Sequence, residues 1–371
     1  MTQLLLLDDF SLYKKNLVFC EIPEILDTIL KDTSKDIRIY LIVYENDLWE
    51  KFESLNENKF LALNLSILSN NESNHAYDIN YTFGRKYKTN VQGRLLLSKH
   101  PTISNYWILI SDGGRLFCEK AIGQILKSIR PRISKAIITT HQFEKILSSF
   151  QSSQQAFNIR IRQFGQRGKI KSKGATKDIE TDRKWTDLKP GEVFQESRDI
   201  GHWITDLSIE YNSKSTGKTG QFKIDREATL ILRGEALTTF NFFVQIIGDT
   251  IHEQYNYLNN RGKIPSNNYI PRPFCIKYDQ DIINTKEQIT KLISVIKSIP
   301  NTRLTSLHGN PYYHSVFIDY SDGSVSEILI FDQNTINILP QGKASVRSLQ
   351  RLCSNIFYNF REGELKDINY G

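Results

Sequence analysis

Cysteine is scarce in this chain. Cys20, Cys118, Cys275 and Cys353 are the only four, and no two stand at C-x-x-C spacing. That excludes a disulfide framework and a thiolate zinc site, and scattered thiols fit a reducing cytoplasm, which is the location expected. Histidine occurs seven times, never within catalytic spacing of a cysteine, so no Cys or Ser nucleophile is assigned. No apolar run approaches the ~18–20 residues of a membrane span, and no membrane association is expected. The opening MTQLLLLDDF has a short Leu run without a basic flank, closed by Asp8 and Asp9. It reads as a first buried strand and not as a signal peptide.

Acids are also scarce, but only in one region. Between Ile79 and Lys177 nineteen basic residues stand against Asp112, Glu119 and Glu144, a net of +16 in a chain whose formal charge is +7. The rest therefore carries −9. Such asymmetry is the footprint of a polyanion-binding surface; its alternative is a solvated face balanced in space by acids from elsewhere. Within the segment, FNIRIRQF alternates, which predicts a strand with Phe157, Ile159 and Ile161 behind and Asn158, Arg160 and Arg162 in front. GQRGKIKSKGATK follows, adding Arg167, Lys169, Lys171 and Lys173 in a stretch too polar to pack. YTFGRKYKTN interleaves Tyr81, Phe83 and Tyr87 with Arg85, Lys86 and Lys88; aromatics beside cations can stack on bases, or simply pack as strand residues.

A hydrophobic content of 39% and an aromatic content of 11% supply real cores. IRIYLIVY and YWILIS are apolar runs of the kind buried on both faces, and each precedes a helical pattern. AIITT before HQFEKILSSF gives a third strand–helix unit. This alternation predicts an α/β region over 1–165 with a mainly parallel sheet. Residues 166–184 lack periodicity and read as a basic linker or loop. Residues 185–371 read as α+β: helices begin near Glu235 and cover about 285–299, an antiparallel meander follows, and an amphipathic helix, ASVRSLQRLCSNIFYNF, lies on that meander.

NSKSTGKTGQ approaches a phosphate-binding loop, since Gly217, Lys218 and Thr219 fit, but Asn212 stands where the first glycine belongs. A phosphate loop also needs a helix after it, and QFKIDREATLILRG reads as strand. A hairpin tip exposing Lys214, Ser215, Thr216 and Lys218 is the reading that survives. For a metal-dependent nuclease, Glu364 and Lys366 with Asp319 and Asp332, or Asp112, Glu119 and Lys120, are the available sets, and neither shows the hairpin that would make the carboxylates converge. Arg94 with His100 and Arg303 with His308 have the spacing of a helical ribonuclease pair but lie in extended patterns. His252–Glu253 lacks a second His, because Asn256 stands four residues on.

The sequence thus predicts a nucleic-acid-binding protein. It would be a non-catalytic subunit or scaffold of a microbial nucleic-acid-handling complex, such as one restricting mobile elements or phage. No cofactor and no metal are expected. Arg85, Lys86, Lys88, Arg160, Arg162, Arg167, Lys169, Lys171, Lys173, Lys214 and Lys218 are the expected contacts to DNA or RNA, and the C-terminal half is a possible face for a protein partner. The alternatives are a metal-dependent nuclease and a module self-associating through its charge asymmetry.

Overall fold

The computed structural model describes residues 12–368, apart from 15–16, 32–35, 45–46, 57–61, 85–86, 104, 130–132, 136, 154–155, 173–174, 185–188, 260, 262–271, 310–311 and 343. The strand expected in MTQLLLLDDF lies outside these residues. The chain divides into two compact units, Met1–Ile251 and His252–Gly371.

The first unit is built on one sheet. Its members are β1 (Ile37–Val43), β2 (Leu63–Asn70), β3 (Asn74–Phe83), β4 (Thr89–Lys99), β5 (Tyr106–Ser111), the two-residue β6 (Ser134–Lys135), β7 (Ala156–Ser172), β8 (Ala175–Lys184), β9 (Trp203–Ser213), β10 (Thr219–Asp225) and β11 (Thr229–Arg233). Their order is β2-β3-β4-β5-β1-β11-β10-β9-β7-β8, with β6 against β1.

Every described pairing is antiparallel, including those of β1 with β5, β11 and β6. The mainly parallel sheet expected from the sequence is therefore wrong. It rested on buried strands alternating with helices, and the burial holds: β1 is buried at every position but Arg38. The inference failed because double burial reports helices on both faces, not strand direction. AIITT is likewise not a strand, since 137–139 are irregular. Residues 166–184, read as a linker, belong to β7 and β8. The strands β9 to β11, assigned by sequence to a second domain, complete the same sheet as β1.

The helices of this unit are α1 (Ile22–Lys31), α2 (Leu48–Asn56), α3 (Gly123–Ile129), α4 (Thr140–Ser152), α5 (Pro190–Asp199) and α6 (Phe240–Asn259), the last running into the second unit. A turn at Arg115–Phe117 and a π-helical turn at Cys118–Ile122 lead into α3. This segment and α2 bury one face of β1 to β5, around Trp107, Phe52 and Tyr77. On the other face Phe150 of α4 meets Tyr211, Phe222, Phe242 and Phe243 at centroid distances of 5.2–5.5 Å.

The start of α4 is fixed by a reciprocal cap. Thr139 Oγ1 accepts from Gln142 N (3.3 Å), and Gln142 Oε1 accepts from Thr139 N (2.8 Å). Thr139→Ala should cost about 1 kcal/mol, read as a lowered urea midpoint.

The second unit holds a six-stranded antiparallel sheet of β12 (Phe274–Lys277), β13 (Thr302–His308), β14 (Tyr313–Asp319), β15 (Ser324–Ile330), β16 (Thr335–Pro340) and β17 (Glu364–Asp367), in the order β13-β14-β15-β16-β12-β17. The expected meander is present, and β14 to β16 bury alternate residues. Helices α7 (Lys286–Lys297) and α8 (Val346–Asn359) are joined where Asn355 Nδ2 donates to Val295 O (2.5 Å). No helix among the described residues is long and apolar enough to cross a membrane.

Candidate nucleic-acid interface

The basic segment is distributed over the whole sheet. Arg94 donates to Asp112 and lies over Tyr13, Lys99 to Asp47 (2.5 Å), Arg115 to Glu119 (2.6 Å), and Lys135 to Glu227. Asp47 and Glu227 come from outside the segment, so part of its charge is balanced in space by distant acids. Surface pairs of this kind contribute little stability, but they do remove cations from the pool open to a polyanion.

The expected contacts fall in separate places. Arg85 and Lys86 lie outside the described residues. Lys88 is exposed in the β3–β4 turn, where Gly84 adopts φ +106°, and its neighbour Tyr87 is 78% exposed. Tyr81 and Phe83 stack on one another at 5.8 Å and pack half-buried against the core, so the strand-packing reading applies to them. Lys214 and Lys218 are exposed at the tip of the β9–β10 hairpin, as the sequence predicts for a strand–turn–strand context, and Lys218 lies 3.9 Å from Asp27. The β3–β4 turn is six strand spacings from β7, roughly 30 Å at ~4.8 Å each. That turn does not join the β7 cations in one site, whereas the β9–β10 hairpin lies at the Ala156 end of β7.

Arg160 and Arg162 are exposed on β7, but the strict alternation around them is broken. Phe157 pairs with Asn212 and Arg160 with Glu210, so two residues, Asn158 and Ile159, oppose one. Asn158 takes φ +51° to form this bulge. Phe157 consequently leaves the buried face and is 43% exposed, whereas Ile161 and Phe164 are fully buried. A second bulge follows at Arg162. Both guanidiniums face an acid that local pattern did not place. Arg162 donates to Glu210 (2.5 Å) and, with the Gln221 amide, holds that carboxyl below the usual carboxylate range.

Beyond Arg167↔Trp203 no further pairing of β7 with β9 is described, yet β7 and β8 continue together from Gly168↔Ile179 to Ser172↔Ala175. The stretch expected to be a loop is therefore the outer part of a two-stranded ribbon. Five residues per arm give it a length of roughly 17 Å. Gly168 lets the ribbon pass His202, because a Cβ there would stand 1.8 Å from the imidazole.

Register then sorts the charges. Arg167 is in register with Glu180 and Lys169 with Asp178, so basic and acidic positions stand opposite one another in the inner half of the ribbon. Lys171 is opposite Thr176 and Lys177 opposite Ile170. Neither position stands opposite an acid; Lys173 lies outside the described residues. Lys177 closes the basic segment, and its importance depends on a register that composition does not contain.

The catalytic candidates do not assemble. Asp112 accepts from Tyr13 Oη (2.8 Å) as well as Arg94, Asp319 is paired with Arg351, and Glu364 with Lys366 (2.8 Å). Among the described residues no three His, Cys, Asp or Glu side chains are grouped to hold a metal ion. His100 is buried, its Nδ1 accepting from the backbone of Ile103 (3.1 Å), and burial lowers its basicity. Arg303 and His308 lie on β13, extended as expected.

No protein-family model and no curated protein matches the chain. Among solved structures it has a distant likeness to the di-domain ARO/CYC protein StfQ from the steffimycin biosynthetic pathway. That match has 10% identity and a TM-score of 0.18, and covers 52% of this chain and 82% of the other. A likeness at that level carries no argument.

Proposed function

We propose that this protein binds nucleic acid through the end of the β7–β8 ribbon, as a cytoplasmic, non-catalytic component of a nucleic-acid-handling complex. The observation that supports this reading is the register of the ribbon. It sets Arg167 and Lys169 opposite acids but gives Lys171 and Lys177 none, on a two-stranded element that outruns the sheet, and Lys173 follows Lys171 by two positions. A ribbon of this kind fits a duplex major groove, and lysines are suited to phosphate oxygens. The second unit supplies the scaffold or a surface for a protein partner.

The register also sets the size of the effect. Three phosphate contacts, instead of the six or more that the raw charge count suggests, give a slope of log affinity against log salt near −2.7 on duplex DNA, at about −0.9 per contact. Fluorescence anisotropy with labelled single- and double-stranded DNA and RNA across a salt series measures it. A slope near zero, or no binding at about 50 mM salt, would overturn the proposal.

A further inference from the structure

A cavity of about 380 Å³ opens on the sheet where the helical segment leading into α3 ends, roofing β1, β11 and β10. Its volume is that of a small-molecule site, and charged side chains of both signs stand among its lining residues. Across the strands, Asp225 accepts from Thr229 N through Oδ1 (2.9 Å), and Thr229 is in register with Tyr40. Asp225 and Tyr40 thus stand two strand spacings apart, roughly 10 Å. Arg38 lies two residues before Tyr40 on the same face, and both line the cavity.

Lys135 is engaged by Glu227, and Glu119 at the rim by Arg115. Arg38 interacts with Tyr40 and with the charge of Glu119, yet its Nε is buried and has no hydrogen-bond partner among the described residues. A guanidinium N–H out of reach of water is costly unless an acceptor meets it, and a carboxylate does so best. At the other end, burial is the main cause that lifts Asp225 from its usual 3.8 to about 6, with the Glu227 charge adding to it, against the Thr229 amide and hydroxyl and the Lys135 charge that favour its ionised form. A cationic group beside it would offset that burial. A dianion such as phosphate fits poorly, because Asp225, Glu227 and Glu119 line the cavity together with Arg38.

We propose that this cavity binds a short-chain amino carboxylate, its carboxylate on Arg38 and its ammonium on Asp225. The site is independent of the ribbon and of the nucleic-acid reading. Neither residue stands in any sequence motif; they converge only because β10, β11 and β1 are neighbours.

The test uses the full chain and three probes of equal length: 5-aminopentanoate, pentanoate, which lacks the ammonium, and pentylamine, which lacks the carboxylate. Binding is read by isothermal titration calorimetry. The expected order is 5-aminopentanoate tightest, with pentanoate and pentylamine each at least tenfold weaker. Arg38→Gln should remove discrimination between 5-aminopentanoate and pentylamine. Asp225→Asn keeps the Oδ1 acceptor for Glu227 N and Thr229 N, so it should fold, and it should reduce 5-aminopentanoate to the affinity of pentanoate. Equal binding of all three probes to the unmodified protein, no binding at millimolar concentration, or unchanged selectivity in Asp225→Asn would each sink the proposal, whether or not Arg38→Gln folds.

Discussion

Changing Lys171, Lys173 and Lys177 together to alanine is expected to lower nucleic-acid affinity by roughly a hundredfold or more at about 0.15 M salt. Each phosphate interaction removed takes about 0.9 off the salt slope and, at that ionic strength, a factor of about 5 off the affinity. Three of them multiply to on the order of 150. The slope itself should fall from near −2.7 towards zero, a signature that misfolding of the ribbon alone would not give at unchanged thermal stability. Lys214→Ala with Lys218→Ala is the matched control. Those residues sit by Ser213, which pairs with Ala156 at the opposite end of β7, and Lys169 is thirteen residues further on, roughly 40 Å along the strand. The control should stay within twofold of the unmodified protein. An equal drop in both variants would mean that charge acts diffusely and that the ribbon's end does not touch the nucleic acid.

The second large effect lies in the C-terminal unit. Asp319 is 1% exposed; its Oδ2 receives Arg351 Nη1 (2.5 Å) and its Oδ1 the amide of Ser321 (3.0 Å). Arg351 also donates to Ser321 Oγ (3.0 Å) and to Pro300 O (2.5 Å), so one guanidinium ties α8 to the end of β14 and to the chain entering β13. Removing only the cation strands a buried carboxylate. Arg351→Ala should therefore cost about 3–5 kcal/mol, seen as amide exchange in β14, β15 and α8 that is faster by a hundred- to a thousandfold. The double variant Arg351→Ala with Asp319→Ala should recover part of that stability, because no uncompensated charge remains. A double variant as unstable as the sum of the two single ones would show that the pair is not what stabilises this corner.

Local pattern carried much of the element content. The Ile37–Val43 run, the helix beginning at Leu48, the strand–turn–strand around Lys214 and Lys218, and the alternating strands of the second unit follow from periodicity and turn chemistry. These are properties of a few consecutive residues. The sequence also excluded a phosphate loop at 212–221 on context alone, and the hairpin there agrees.

What required the tertiary structure is everything set by pairing. Strand direction is invisible to burial, so β1, apolar on both faces, read as parallel although every strand paired with it runs against it. The +16 segment ends at Lys177, one residue short of Asp178; the hairpin then folds Asp178 and Glu180 back opposite Lys169 and Arg167. One extra residue at Asn158 turned Phe157 out of the core, and no composition announces a bulge. Arg38 and Asp225 are far apart in the chain and two strands apart in the sheet. The sequence by itself determined where strands, helices and charge lie along the chain. Only the fold decided which charges face one another, because register is a choice among long-range partners that local propensity leaves equal.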